Sequence, residues 1–208
     1  MDNLFSYDSK FFIVLGKVSN IVILNLLFLI SCIPIITIGT SITATYFVAM
    51  KIVRDEETYI VKEFIIRFKE NFVKSTKIWF IMIVIGMVLG FDYYISSLIS
   101  NGLMKATLQL SLTIVSIIFI FVLTYVFPIT SKFENTIKNT MINSILISIK
   151  HLPQTILMVI VNLSPIILIF ILSTYWEHIL FFYTVIGFGA MTYINSMFFD
   201  KIFEKYIV

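Results

Sequence analysis

Charge is scarce in this 208-residue chain. Lys, Arg, Asp and Glu make up 13% of it, roughly half the share of an average soluble domain. The shortage is uneven. No Lys, Arg, Asp, Glu or His occurs in the 33 residues from Val18 to Met50. A helix at the surface of a soluble protein needs a polar face, and this run has none, so the chain does not read as a soluble globular domain. Cysteine is nearly absent too, and the lone Cys32 excludes an intrachain disulfide. Leu29-Ile30-Ser31-Cys32, behind Lys10 and Lys17, imitates the pattern before a lipid-modified bacterial cysteine. The next residues, Ile33-Pro34-Ile35-Ile36, are apolar where a tether would be polar, so Cys32 reads as a lipid- or helix-facing side chain.

Reactive constellations are missing as well. The two histidines, His151 and His178, fall on opposite sides of the membrane whether the chain crosses it five or six times, and no His-Glu-x-x-His or Cys-x-x-Cys is present. There is no Gly-x-Ser-x-Gly. Gly187-Phe188-Gly189-Ala190 lies mid-span without a phosphate-binding Lys, and suits close helix packing instead. These absences lead us to expect no catalytic residue, no metal and no other cofactor, and a lipid bilayer rather than nucleic acid as partner.

What is present is apolar: 59% of the chain is hydrophobic, and the mean hydropathy is +1.01. As one helix the charge-free run would rise about 50 Å, against about 30 Å for a bilayer's hydrocarbon core. It carries its own break. Pro34 lacks a backbone donor and restricts Ile33, and Gly39 offers the freedom of a turn. Ser41 is a plausible cap for a second helix to about Val53, in which Thr40, Thr43, Ala44, Thr45 and Ala49 suit close packing. Residues 51–77 change character, with seven basic side chains. Asp55 is expected to cap a helix with Glu56 and Glu57 in its first turn. Ile60, Phe64, Phe68 and Phe72 then recur every four residues as an apolar stripe. Such a stripe can dock on a partner, lie on the membrane surface, or face the protein's own core.

Two further spans run from Ile78 to Ser97 and from Leu108 to Phe127, the latter stopping at Pro128, with Ser100-Asn101-Gly102 as the turn between them. A second mixed segment, 130–152, places Ile137, Met141, Ile145 and Ile149 at the same spacing. Pro153 opens a span through the Ser164-Pro165 kink to Tyr175. Trp176-Glu177-His178 is an interfacial turn, and a last span covers Ile179 to Phe199. Residues 40–98 and 107–175 share one layout, as a parallel duplication would, although their residue identity is poor.

The expected fold is a single all-α membrane domain, 1–208. It has six membrane helices if the first run is a short hairpin and five if it is one bent helix, plus two cytoplasmic amphipathic helices. With a hairpin and both termini in the cytoplasm, basic residues split 14 inside to 1 outside; with five spans the split is 12 to 3. Both obey the positive-inside rule, the hairpin better. No span holds a mid-depth Asp, Glu, Lys or Arg, which argues against an ion-driven pump. The polar groups inside apolar helices are Asn25, Asn162 and Asn195, with Gln109 near a helix end. An amide in lipid seeks a partner across a helix interface, and can alternatively line a solute path.

Asn25-Leu26-Leu27-Phe28, Pro34-Ile35-Ile36-Thr37-Ile38-Gly39, Ala44-Thr45-Tyr46, and Lys51 and Arg54 with Glu56-Glu57 resemble the opening of the YesL-like family of small multipass bacterial membrane proteins. Phe64 through Asn71-Phe72 into Trp79, and Thr136-Ile137-Lys138-Asn139 before Leu152-Pro153, extend the resemblance. It implies an integral protein of the cell membrane, often encoded beside sugar ABC-transport genes, and no known activity. The expected function is therefore a non-enzymatic accessory or scaffold for a carbohydrate ABC importer, with the permease subunits as partners. The alternative is a small transporter or channel in its own right, through Asn25, Asn162 or Asn195. A homo-oligomer stays open.

Overall fold

The computed structural model describes residues 10–56 and 59–206, and among them every regular element is helical. The order is α1 (Lys10–Ser31), α2 (Ile38–Val53), α3 (Ile60–Ser97), α4 (Gly102–Lys132), α5 (Ile137–Lys150), α6 (Leu152–Ile171), α7 (Trp176–Phe182) and α8 (Phe188–Phe203). A π-turn over Tyr183–Gly187 joins α7 to α8. Six segments are long and apolar enough to cross a membrane: within α1, α2, α3, α4, α6, and the α7–α8 stretch. The multipass all-α bundle expected from composition is the fold.

The charge-free run is a hairpin. The chain leaves helical geometry after Ser31, turns through Pro34, and takes one 3-10 turn over Ile35–Thr37 before α2. Thr37 ties the turn, its hydroxyl donating to the Ser31 and Pro34 carbonyls at 2.6 Å each. At the open end Lys17 meets Asp55 at 2.6 Å, so α1 and α2 run antiparallel.

Gly39 is not the turn residue. It lies inside α2 and no glycine in the described residues has positive φ. Its role is close approach. A Cβ there would sit 2.7 Å from Trp79 Cβ, 2.8 Å from the Ser75 carbonyl oxygen and 2.9 Å from the Phe127 ring.

Asp55 does not cap α3 either. It ends α2 in the left-handed region, at φ 55°, and α3 begins at Ile60 behind Tyr59. Glu57, placed in that first turn from the sequence, lies outside the described residues. Nor is the amphipathic stretch a separate helix. α3 runs unbroken for 38 residues, with the charged stripe segment and the span Ile78–Ser97 as its two halves. No Pro or Gly stands between the halves. Charge alone does not break a helix, because Lys, Arg and Glu are good helix formers.

Pro128 likewise falls within α4, which continues to Lys132. The second amphipathic helix, α5, remains separate, because His151 leaves helical geometry before α6 starts with Pro153 in its first turn. Asn101 caps α4 by accepting from the Leu103 and Met104 amides, and Thr136 caps α5 by accepting from that of Asn139.

α2 is the centre of the bundle. Of its membrane-length stretch 67% is buried, against 11–33% for the other five candidate spans. It packs antiparallel along the charged half of α3, from Lys51–Glu63 at one end to Gly39–Trp79 at the other. Between these ends Thr43 bonds Ser75 at 2.9 Å, and Thr40 bonds Thr76 at 3.2 Å. Beyond Trp79, α3 continues 18 residues, roughly 27 Å, and pairs with α4 through Gly86–Phe119 and Tyr93–Thr113. The outward sides of that stretch, including Phe80, Val84, Phe91 and Ile114, are exposed as for lipid contact.

Candidate functional site

Polar side chains inside apolar helices are the features that packing alone does not require. Asn25 is fully buried on α1. Its Nδ2 donates to the Thr184 carbonyl at 2.7 Å, and its Oδ1 accepts from the Gly189 amide at 2.8 Å. The first group lies within the π-turn and the second just past it, where the bonding register shifts and backbone groups lose their regular partners. The side-chain amide completes that ladder from a neighbouring helix. Gly189 makes the approach feasible, since a Cβ there would lie 2.7 Å from the Ile21 carbonyl oxygen.

A second group joins α2, α6 and α8. Asn195, fully buried, donates from Nδ2 to Asn162 Oδ1 at 2.7 Å and to the Tyr46 hydroxyl at 3.3 Å. Tyr46 and Tyr125 both meet Phe199 edge-on, and Tyr125 bonds Thr155 at 2.7 Å. Among the described residues, Asn195 Oδ1 and Ser196 Oγ are buried without a partner. Tyr46 and Asn162 also reach the wall of a cavity of about 390 Å³ between α2, α4, α6 and α8. Phe28, Ile42, Leu123 and Phe127 make most of its surface apolar.

So the structure brings Asn162 and Asn195 together and places Asn25 apart, at the π-turn and the first residues of α8. Tyr46, their partner, is not singled out by sequence reasoning. Among the hydroxyls of α2, at Thr40, Ser41, Thr43 and Thr45, nothing in the sequence sets that of Tyr46 apart.

The cations of residues 51–77 do more than bias orientation. Arg54 binds Asp200 through both Nε and Nη2, tying the end of α2 to α8, and reaches Glu56 at 3.7 Å. The Asp200 carboxylate holds the Arg54 guanidinium above its ordinary pKa. Glu63 joins Lys51 at 3.0 Å to Arg67 at 3.4 Å, and Arg67 stacks 3.9 Å from the Phe47 ring. A planar guanidinium suits both fork pairing and stacking, and the chain's two arginines serve those two uses.

The apolar stripe divides. Ile60 and Phe64 are buried against Ala44, Val48, Ala49 and Ile52 of α2, so they face the protein's own core and offer no docking surface. Phe68 is half-buried against the same group, and Phe72 is 37% exposed. Among the described residues no three His, Cys, Asp or Glu side chains converge as metal ligands.

Comparison with known families reaches one segment of this architecture. Residues 21–93 match the family described as "Protein of unknown function, DUF624". The matched stretch runs from α1 through the Pro34 turn and α2 into the distal half of α3, the hairpin and the long helix it packs on. No curated protein and no solved structure matches the chain.

Proposed function

We propose that this protein is a non-enzymatic scaffold of the cell membrane, serving as an accessory to a carbohydrate ABC importer, with both termini in the cytoplasm. The observation that carries the scaffold reading is the use of the intramembrane amides. Asn25, Asn162 and Asn195 each spend hydrogen bonds on another helix rather than presenting them to a continuous aqueous path. Interhelical bonding of this kind is how polar residues hold a bundle together in lipid. The importer as client is supported by the family resemblance, most specific in residues 20–80, and the cytoplasmic termini by the 14-to-1 distribution of basic residues.

Affinity purification from native membranes in mild detergent tests this reading. A permease subunit present in fixed stoichiometry is the expected result. A protein that purifies alone at every detergent concentration contradicts it. The cavity beside Tyr46 and Asn162 favours a second reading, a small solute carrier, which makes a separate prediction of protein-dependent flux.

A further inference from the structure

A pocket of about 430 Å³ lies where the end of α4, the outer side of α5 and the 3-10 turn Glu204–Tyr206 meet. Its floor is apolar, from Ile129, Phe133 and Ile147, and its rim is Lys150, Asn143 and Tyr206. Its volume is in the range of small-ligand sites, about 300–1,000 Å³.

The rim is cationic. Lys150 Nζ lies 5.0 Å from the Tyr206 ring, and the Tyr206 hydroxyl meets His151 Nε2 at 3.2 Å. Lys205 precedes Tyr206, and both lysines face His151 closely enough to lower its pKa, after burial as the larger cause. His151 also precedes the first turn of the 20-residue α6 and makes no side-chain cap there, so the positive end of that helix dipole points to the same place. Among the described residues no carboxylate pairs with Lys150 or Lys205 within ion-pair distance, as with most lysines outside the α1–α2–α3 contacts. The acid of the same turn, Glu204, is exposed and forms no ion pair among the described residues. Beside the rim, Leu146, Ile149 and Leu152 are exposed at the point where the apolar helix α6 begins.

We propose that this pocket binds the phosphate headgroup of an anionic phospholipid, with its acyl chains lying over Leu146, Ile149 and Leu152. The combination of unpaired cations, a tyrosine hydroxyl and an apolar floor at the start of a membrane helix matches a ligand with a negative head and apolar tails. Basic pockets between membrane helices bind lipid headgroups on this principle.

The test is lipid titration of the full-length protein in detergent, with bound lipids counted by native mass spectrometry. Phosphatidylglycerol and phosphatidylcholine of identical chains are the probes. A Lys150→Gln/Lys205→Gln variant is compared with Lys62→Gln/Lys69→Gln on the exposed side of α3. The expected result is phosphatidylglycerol binding weakened about fivefold per lysine removed, with phosphatidylcholine binding and the α3 variant unchanged. Lys150→Arg keeps the affinity, and unchanged melting temperatures without lipid show that every variant is folded. Undiminished phosphatidylglycerol binding in the double variant, equal binding of phosphatidylcholine, or displacement by glycerol phosphate at matching concentration would overturn the proposal. The last outcome would assign the site to a soluble phosphate ester.

Discussion

A methyl group added at Gly39 has nowhere to go, because the backbone of α3 at Ser75 and the base of Trp79 are rigid neighbours. Gly39→Ala is expected to cost about 1–3 kcal/mol through overpacking. Gly90→Ala, with nothing within 4 Å, is expected to be neutral or to stabilise the helix by about 0.5–1 kcal/mol. Melting temperatures of the two variants in one detergent check the contrast, and equal values would refute the close-approach role. His151 makes a prediction of opposite kind. Burial first, then Lys205 and Lys150, push its pKa below the usual 6.5. Between the two values the unfolded chain holds more protons than the folded one, so stability falls as pH drops through about 6.5. His151→Gln should flatten that part of the melting-temperature profile between pH 7.5 and pH 5.5. An unaltered slope would mean that another group is responsible. At this scale the sequence exposes which residues are unusual but hides their partners. Asn25 is conspicuous in an apolar helix, yet its two partners lie 159 and 164 residues away.

Helices are legible where apolar length decides them and less so where charge changes along one rod. The Pro34 break and the hairpin it makes follow from a run too long for one span. Residues 51–77 look like a separate surface helix because their composition differs, but α3 passes through the change without a breaker. Pro128 marks an end by rule and not in fact, since the helix continues one turn past it. The stripe on α3 shows the same limit. Its four-residue spacing announces an apolar face, and only the position of α2 tells what covers it. Phe64, 3% exposed, should cost about 3–5 kcal/mol when changed to Ala. Phe72, 37% exposed, should cost under about 1 kcal/mol. Denaturation of both variants in mixed micelles checks the order, and a larger loss at Phe72 would place the covered face at the wrong end of the stripe. Asn25→Leu tests the other inter-element tie. It leaves the buried Gly189 amide without that partner, at about 1–3 kcal/mol, and removes a part-buried bond to the Thr184 carbonyl. A wild-type melting temperature in Asn25→Leu would show that the π-turn does not depend on α1.

On the scale of the whole molecule, composition foretells a multipass bundle, because a chain with so few charges has no other way to cover its surface. It does not foretell that α2 is the hub, since its threonines and alanines are as compatible with a lipid-facing helix until α3 and α8 are placed around it. The same hub carries Tyr46, through which the amide pair on α6 and α8 is tied to the first hairpin. The central claim is that these polar groups tie helices together and do not conduct solute. Flux of maltose and glucose into proteoliposomes of the purified protein, followed by osmotic light scattering beside empty liposomes, tests it most directly. The account predicts equal rates with and without protein. A protein-dependent flux that falls in Asn162→Leu would contradict it.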